Sequence, residues 1–436
     1  MSEKELPTGW LKTTLGSACI KADSVNRKKV DQNQGLIYID IGGIDNQKNK
    51  ITSHKKFLWK DAPSRAQQVI FKGDTLFSTV RTYLKNIAFV ESDVYNGQIA
   101  SSGFTVIRGN PLSAHPKFLF YYSTSQVFLQ PLNELQTGTS YPAVRDSDVF
   151  EQPLNLPPLA EQHRIVARIE ELFSSLDKGV EALRTAQQQL KVYRQAVLKY
   201  AFEGIAKSKV VTVEDCCERI VDCLHSTAKF TQSGYYCIDT TCISQGRIHF
   251  ERARKVDLMT YQERISRLAP QFGDVLFARE GTVGTTVIVP KGVDLCLGQR
   301  MMMFRLKSDI SSKYFQYYFQ SPLFINQYKP LIGGTTSPHL NIRDIKVFKI
   351  VLTDSATQES IVQEIESRLS VCDKIEESIE QSLQQAEALR QSILKKAFEG
   401  KLVPQDPNDE PASVLLERIR QANPLKARSP RKSKVS

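Results

Sequence analysis

Long apolar runs are missing from this 436-residue sequence. No stretch approaches the roughly 18 apolar residues of a membrane-spanning helix, and the opening residues MSEKELPTGW lack the apolar centre of a signal peptide. We therefore expect a cytoplasmic protein with no membrane partner. Apolar residues make up 41% of the chain and charged residues 24%, which is typical of a folded globular protein, and the length predicts two or three domains.

Closely spaced cysteine pairs are also missing. None of the eight cysteines forms a Cys-x-x-Cys pair, although five of them lie between Cys216 and Cys242. A zinc site that included His225 or His249 is one interpretation of this cluster, but structural zinc sites usually show paired ligands at short spacing. Reduced, mostly buried thiols are the simpler interpretation, so we expect no bound metal.

Catalytic motifs are absent as well. Segment 281–286, GTVGTT, lacks the spacing and the lysine of a phosphate-binding P-loop, and segment 155–159, NLPPL, lacks the aromatic residue of the Asn-Pro-Pro-aromatic motif of amino-methyltransferases. Glu399 and Lys401 have the spacing of a nuclease acid and lysine, but a helix end explains them. The six histidines have no recurring acid or nucleophile as a partner. We expect no catalytic residue in this chain.

The net charge of +11 favours a polyanionic partner only weakly. Five basic residues and no acid lie in the last sixteen positions, namely Lys426, Arg428, Arg431, Lys432 and Lys434. We expect this basic tail after Asn423 to be disordered and to add non-specific affinity for nucleic acid.

An internal repeat fills most of the chain. Residues 117–204 align without a gap on residues 313–400, so that KFLFYY matches KYFQYY and YAFEG matches KAFEG. Upstream, KGDTLFSTVR at 72–81 matches FGDVLFARE at 272–280 at a slightly larger shift. A period near 200 residues is too long for a solenoid, so the repeat predicts two copies of a whole module.

Each copy begins with a globule and ends with a long helix. Short alternating apolar stretches such as 36–44, 86–90, 285–290 and 301–306 predict strands, and the aromatic segments that begin at Lys117 and Lys313 predict a helix that closes each sheet. From Ile165 and from Ile361, apolar residues recur at heptad-like steps, and Gly204 and Gly400 end these helices.

We therefore predict an α+β fold with an internal pseudo-twofold repeat, in which two α/β globules are separated by two long antiparallel coiled-coil helices. The alternative is that each helix packs only on its own globule. The predicted parts are a first globule at 1–155, a first helix at 156–206, a second globule at 207–354, a second helix at 355–403 and a C-terminal segment at 404–436.

The repeat resembles a known family. LPPLAEQHRIVARIEELFSSLD at 156–177 resembles the central region of type I restriction-modification specificity subunits. ILKKAFEGKLVPQDPNDEPASVLLERI at 393–419 resembles the C-terminal region of that family, and Gly-Asp-x-Leu in each globule resembles its target-recognition domains. One departure is that LPPLAEQ becomes LTDSATQ at 352–358, which replaces Glu161 by Thr357.

The resemblance implies a non-catalytic, sequence-specific DNA-binding subunit. Each globule would read one half of a bipartite site in double-stranded DNA, and the helices would set the spacer and dock two modification subunits. These partners would use S-adenosylmethionine, and separate restriction subunits would use ATP and magnesium, so no cofactor is expected on this chain. Two alternatives stay open: a coiled-coil scaffold that does not read DNA, and an autonomous methyltransferase or nuclease.

Forked donors and amides on loops suit base reading, and small turns with hydroxyls suit phosphate. The candidates in the first copy are Lys72, Arg81, Tyr83, Lys85, Gly138, Thr139, Ser140 and Arg145. Those in the second copy are Arg279, Thr282, Arg300, Gly334, Thr335, Thr336, His339 and Asn341. A solvated surface role, or a plain turn for the two Gly-Thr loops, is the competing interpretation.

The heptad positions are the candidates for helix pairing and partner docking. On the first helix they are Ile165, Ile169, Leu172, Leu176, Leu183 and Leu190. On the second helix they are Ile361, Ile365, Leu369, Ile379, Leu389 and Ile393.

Overall fold

The long helices are shared between two compact units. The computed structural model describes residues 6–138, 140–244, 246–333 and 338–422. Unit 1 comprises Met1–Glu181 and Ser382–Ser436, and unit 2 comprises Ala182–Gln381. Each helix therefore contributes one half to each unit, a division that differs from the five predicted parts. No helix of the described residues is long and apolar enough to cross a membrane.

Unit 1 contains two four-stranded sheets. Their orders are β6-β3-β10-β7 and β2-β11-β8-β9, and two short pairs, β1-β12 and β4-β5, accompany them. The strands are β1 (Leu11–Thr14), β2 (Cys19–Ile20), β3 (Gly35–Ile39), β4 (Ile44–Asp45), β5 (Lys50–Ile51), β6 (Lys55–Leu58), β7 (Ala66–Ile70), β8 (Thr75–Ser78), β9 (Ile87–Phe89), β10 (Gln98–Ser101), β11 (Phe104–Gly109) and β12 (Pro153–Leu156). The helices are α1 (Pro116–Thr124), α2 (Gln126–Glu134), α3 (Asp146–Phe150) and the first half of α4 (Leu159–Phe202).

One sheet of unit 2, β14-β23-β20-β21, has the same order as the sheet β2-β11-β8-β9 of unit 1. The other, β15-β19-β16-β22, shares three strands with β6-β3-β10-β7 but has β15 beside β19 where unit 1 has β7 beside β10. The strands of unit 2 are β13 (Lys209–Thr212), β14 (Cys217–Asp222), β15 (Phe230–Thr231), β16 (Tyr235–Ile238), β17 (Ile243–Ser244), β18 (Arg247–Ile248), β19 (Arg254–Val256), β20 (Val275–Ala278), β21 (Thr286–Ile288), β22 (Leu295–Leu297), β23 (Met301–Leu306) and β24 (Lys349–Leu352). Its helices are α5 (Val213–Cys216), α6 (Leu258–Ile265), α7 (Ser312–Gln320), α8 (Pro322–Tyr328), α9 (Ile342–Val347) and the first half of α10 (Ser355–Phe398).

The strands predicted at 86–90, 285–290 and 301–306 agree with β9, β21 and β23, whereas segment 36–44 is two strands, β3 and β4, separated by a 3-10 helix at Ile41–Gly43. The repeat is confirmed in three dimensions. The segment predicted as one helix after Lys117 is instead two helices, α1 and α2, because Ser125 between them is extended at φ −78° and ψ 150°. In unit 2 the break between α7 and α8 falls at Ser321, which has nearly the same conformation.

The recurring Gly-Asp pair has a structural explanation. Gly73 and Gly273 are left-handed, at φ 94° and φ 89°, and each makes the turn into a central strand. The buried Asp74 carboxylate accepts hydrogen bonds from Arg108 at 2.8 and 2.7 Å, and Asp274 accepts from Arg305 at 3.0 and 2.7 Å. These ion pairs fasten β8 to β11 and β20 to β23.

The long helices α4 and α10 each contain 44 residues. Gly204 and Gly400 follow them at φ 69° and φ 70°, which confirms the predicted left-handed caps. Gln162 and Gln358 lock the two helix starts: each side-chain amide donates to two backbone carbonyls of its own unit.

The two helices run antiparallel in both units. In unit 1, the guanidinium of Arg390 lies 4.3 Å from the ring centre of Phe173 and pairs with Asp177. In unit 2, Arg194 pairs with Asp373 at 2.6 Å and with Glu376 at 2.9 Å. Because these contacts join α4 to α10, the alternative in which each helix packs only on its own globule is wrong.

The phenylalanine of each Ala-Phe-Glu-Gly motif enters an aromatic core. Phe398 lies 5.3 Å from both Phe118 and Tyr122 of unit 1, in edge-on contact. Phe202 lies 5.2 Å from Tyr314 and 5.0 Å from Tyr318 of unit 2. Each long helix thus follows one globule directly in sequence and ends in the core of the other.

The segment after α10 packs on unit 1. The N–H of Ala412, which begins helix α11 (Ala412–Ala422), donates to the Gly9 carbonyl at 3.0 Å, and Arg164 pairs with Asp409 at 2.6 Å. Glu161, only 1% exposed, accepts a hydrogen bond from the Trp10 indole at 3.0 Å, and burial raises the pKa of this carboxyl. The basic tail after Asn423 lies outside the described residues.

Candidate nucleic-acid interface

In unit 1, a small hairpin meets the end of the central strand β8. Thr137 and Ala143 exchange backbone hydrogen bonds of 3.0 and 2.9 Å, and Val80 also bridges Ala143. Gly138 makes the turn of this hairpin at φ 101°. The predicted candidates Gly138 and Ser140 are both exposed on it, whereas Thr139 lies outside the described residues.

Arg81 is the cation at the junction of strand and hairpin. Its backbone is left-handed at φ 50°, and its N–H donates to the Pro142 carbonyl at 2.7 Å. The guanidinium donates to the Ser140 carbonyl at 3.1 Å and lies 4.8 Å from the centre of the Tyr141 ring. The ring is 70% exposed, so the hairpin holds a cation and an aromatic face together at the surface.

The turn after Arg81 carries further candidates. Tyr83 is 52% exposed and Leu84 is 40% exposed, whereas Thr82 between them and Arg81 is buried. Lys85 closes the turn in the left-handed region at φ 53°. The structure therefore brings the candidates Arg81, Tyr83 and Lys85 together at one edge of unit 1.

Arg145 joins this group and Lys72 does not. Arg145 caps the start of α3, its side chain is 84% exposed, and the hydrogen bond from its backbone N–H lowers the pKa of Asp148. Lys72 precedes β8 whereas Arg81 follows it, so the two lie at opposite ends of that strand. The Lys72 ammonium pairs with Asp93 at 2.8 Å. A DNA contact for Lys72 stays a prediction without support from its neighbours.

Unit 2 builds the same junction from different side chains. His339 forms β-bridges to both Gly333 and Glu280, just as Ala143 forms them to Thr137 and Val80 in unit 1. The Gly281 N–H donates to the Pro338 carbonyl at 2.9 Å. His339 is exposed, as is Asn341, which caps the start of α9 at the position that Arg145 holds in unit 1. The candidates Gly334, Thr335 and Thr336 lie outside the described residues.

Arg279 has a structural role in unit 2. It is 8% exposed, and its guanidinium pairs with Asp222 at 3.0 Å and with Glu280 at 2.9 Å. A buried cation held by two carboxylates is not placed for base reading without rearrangement, so its DNA contact stays a prediction. By its backbone hydrogen bonds, Arg279 occupies the position of Thr79 in unit 1, and Gly281 occupies that of Arg81.

Arg300 is the exposed cation of the unit 2 junction. Its side chain is 52% exposed, its backbone is left-handed at φ 70°, and its Nε lies 3.8 Å from Glu280. Beside it, the Gln299 amide donates to the His225 carbonyl at 2.7 Å. Thr282 is exposed on the neighbouring turn. Arg300, Thr282, His339 and Asn341 thus come from three loops that meet at the end of β20.

The structure groups no ligands for the alternative zinc site at His225 or His249 among the described residues. Among the described residues, no three His, Cys, Asp or Glu side chains are grouped to hold a metal. The His249 Nε2 and the Ser244 hydroxyl form a hydrogen bond of 2.8 Å, and the His225 Nε2 lies 3.2 Å from the Asp222 carboxylate. Burial raises the pKa of Cys216 to about 12 and of Cys242 to about 11, so these thiols are protonated at neutral pH.

Most heptad residues serve the cores of the two units. Ile165 and Ile169 are fully buried in unit 1, and Ile365 is fully buried in unit 2. Leu190, Ile379 and Ile393 are 8%, 5% and 7% exposed, and Leu172, Leu176, Leu183, Ile361 and Leu369 are half-buried. Leu389 is 50% exposed, which leaves it available to a partner.

The family of type I restriction modification DNA specificity domains matches residues 7–185 and residues 207–385, one match for each copy of the repeat. The chain belongs to this family. It is similar to the EcoKI specificity subunit of Escherichia coli K12, at 26% identity over 330 residues that span 70% of this chain and 71% of that one. It is also similar to the EcoBI specificity subunit of Escherichia coli, at 24% identity over 340 residues, with 69% and 71% covered.

Solved structures agree with this assignment. The HsdS subunit from Thermoanaerobacter tengcongensis is 28% identical, with a TM-score of 0.54 over 92% of this chain and 99% of that one. A chain from a structure that describes complex assembly and conformational transition of the type I R-M system is also 28% identical to this chain. Its TM-score is 0.75 over 92% of this chain and all of that one. This chain is a specificity subunit of the type I restriction-modification kind, and its repeat is a pair of DNA specificity domains.

Sequence reasoning missed several residues of the candidate interface. Tyr141 was passed over although it lies between the candidates Ser140 and Arg145, and its contact with Arg81 depends on a hairpin that periodicity does not reveal. Leu84 and Gln299 were missed because neither has a repeated counterpart in the other copy. A signal was available for Leu84, an apolar residue in a turn.

Proposed function

We propose that each unit reads one half of a bipartite, asymmetric sequence in double-stranded DNA. The observation that carries this proposal is the junction at the end of β8 in unit 1 and of β20 in unit 2. Both junctions are built on the same backbone bridges, but they display different side chains. Arg81 and Arg145 in unit 1 correspond to Gly281 and Asn341 in unit 2. A common frame with different donors suits two different half-sites, because the major groove presents a distinct pattern for each base pair.

The cations at these junctions support a contact with DNA rather than with a neutral surface, since Arg145 and Arg300 are exposed and Arg81 and Lys85 are half-buried. Arg81, Lys85 and Arg145 lie together in unit 1, and Arg300 lies at the corresponding edge of unit 2. Cations of this kind bind phosphates and release counterions, so affinity falls as salt rises. Arginine and asparagine also recognise guanine and adenine edges by paired hydrogen bonds.

The helices α4 and α10 set the spacer between the half-sites and dock two modification subunits. Those subunits supply adenine methylation from S-adenosylmethionine, and restriction subunits that use ATP and magnesium complete the complex. The chain itself binds no cofactor, performs no catalysis and acts in the cytoplasm. The half-exposed Leu389 is the described heptad residue best placed for docking.

The test is to express the chain with its modification subunits and to map methylated adenines in the host DNA by single-molecule sequencing. The proposal predicts methylation at a motif of two short, different parts around a fixed gap. Active modification subunits without such a motif would favour the coiled-coil scaffold instead. Methylation or cleavage by the purified chain alone would contradict the non-catalytic role.

A further inference from the structure

The turn that follows the central strand differs in length between the two units. In unit 1 the residues Phe77 and Ile87 are paired across β8 and β9, with nine residues between them. In unit 2 the residues Phe277 and Thr286 are paired across β20 and β21, with eight residues between them. The unit 1 turn therefore contains one extra residue.

Two positions in each turn are left-handed. Unit 2 has glycine at both, with Gly281 at φ 72° and Gly284 at φ 93°. Unit 1 has Arg81 at φ 50° and Lys85 at φ 53° at the corresponding positions. Glycine adopts this region without strain, whereas arginine and lysine do not, so unit 1 retains two strained residues where the same fold accepts glycine.

A side chain cannot replace glycine at the end of the unit 2 turn. A Cβ on Gly284 would lie 2.1 Å from the Tyr328 hydroxyl. Leu132 stands at the position of Tyr328 in unit 1, so Lys85 meets no such hydroxyl. Only unit 1 can therefore present a side chain from this position.

The strained turn is held from several directions. The Leu84 N–H donates to the Arg81 carbonyl and the Lys85 N–H to the Thr82 carbonyl, both at 2.9 Å. The buried Thr82 hydroxyl donates to Asn133 at 2.6 Å, and the Asn46 amide donates to the Leu84 carbonyl at 2.8 Å. Strain persists where surrounding contacts fix the backbone in this way, and it is typical of functional sites.

The turn presents two cations with two apolar side chains between them. Arg81 rests on Tyr141, and Tyr83 and Leu84 are exposed. In the described part of the chain, the Lys85 ammonium has no ion-pair or hydrogen-bond partner. Nothing in the packing of unit 1 explains why a lysine is kept in this strained conformation. A ligand that places a phosphate beside an apolar base edge would explain it, because the phosphate would bind the Lys85 ammonium.

We infer that the turn 81–85 is the specificity-determining element of unit 1. Lys85 contacts a DNA phosphate, and Leu84 lies against a thymine methyl group in the major groove. Tyr141 is a positioning residue, because it orients Arg81 for a base edge. This inference rests on the proposed function and names the side chains with which unit 1 performs it.

The phosphate contact is tested with Lys85→Gly. The matched control is Lys207→Gly, since Lys207 is also left-handed, at φ 56°, and lies in the linker before β13. Both variants relieve strain, so neither should lower the unfolding temperature. With the chain bound to its modification subunits and a duplex that carries the mapped motif, only Lys85→Gly should weaken binding, and its slope of log affinity against log salt should fall by about 1.

The base contact is tested with Leu84→Ala. Its matched control is Leu112→Ala, because Leu112 is 62% exposed and follows β11 at the end of the sheet opposite Arg81. Leu84→Ala should make one position degenerate in one half of the methylation motif, and Leu112→Ala should leave the motif unchanged.

The outcomes separate this inference from the proposed function. If the unaltered chain yields no bipartite motif, the proposed function fails first. If it yields the motif but Lys85→Gly keeps the affinity and salt slope of the Lys207→Gly control, the phosphate contact is wrong. A motif that Leu84→Ala leaves unchanged overturns the base contact.

Discussion

Replacing Phe398 by alanine should destabilise unit 1 and leave unit 2 intact. Phe398 is 4% exposed and lies 5.3 Å from two aromatic rings of unit 1. Truncation of a buried phenylalanine costs about 3–5 kcal/mol, since both transfer energy and packing are lost. For a denaturant dependence of about 3 kcal/mol per molar urea, the midpoint of unit 1 should fall by about 1–1.7 M.

Phe202→Ala is the matched control, since Phe202 is 2% exposed and makes the equivalent ring contacts in unit 2. The assay uses tryptophan fluorescence, because the two tryptophans of the sequence, Trp10 and Trp59, both lie buried in unit 1. Phe398→Ala should lower the fluorescence midpoint, whereas Phe202→Ala should lower only a transition detected by far-ultraviolet circular dichroism.

Equal shifts of the fluorescence midpoint in the two variants would refute this reasoning. That result would mean that the two aromatic cores unfold as one cooperative unit. An unchanged midpoint for Phe398→Ala would instead contradict the role of this ring as a buried anchor of α10.

Three further predictions concern buried or paired carboxylates. Burial raises the pKa of Glu161, so unit 1 should lose stability as the pH rises above the ordinary glutamate pKa and through the raised value. Glu161→Gln should remove this loss, as measured by urea midpoints from pH 4 to 8. Asp74→Ala leaves Arg108 unpaired in a largely buried site and should cost unit 1 about 3 kcal/mol by urea unfolding, with Asp274→Ala having the same effect on unit 2. Asp409→Asn weakens the partly exposed pair with Arg164, so limited proteolysis should cut after Leu402 faster than in the unaltered chain.

The long helices were predictable because hydrophobic periodicity is a local property of the sequence, and the repeat was predictable because its two copies align directly. Heptad spacing from Ile165 and from Ile361, and a glycine after each helix, placed α4 and α10 inside the predicted ranges. Alternating apolar residues likewise placed β23 at Met301–Leu306. In each case, residues close in sequence determine the structure.

Contacts distant in sequence were not predictable in this way. Periodicity identifies Phe398 as buried, but not that it packs against Phe118, some 280 residues earlier. The packing of Ala412 beside Gly9 joins the two ends of the chain and leaves no sequence signal.

Individual interface residues were the least predictable part of the site. Arg279 and Arg81 both follow a Gly-Asp-x-Leu motif, yet Arg279 is buried between two carboxylates and Arg81 rests on an exposed ring. Lys72 falls at the opposite end of β8 from Arg81, because a strand separates residues that are close in sequence. Burial and strand direction decide which cations share a surface.

The central claim is that two DNA-reading units are joined by helices that fix the gap in the recognised sequence. The most direct test deletes one heptad from the middle of each long helix, namely residues 178–184 of α4 and residues 381–387 of α10. Adenine methylation is then mapped again. Seven residues span about 10 Å of helix, or about three base pairs. The account predicts the same two half-sites around a shorter gap, and an unchanged gap would contradict it.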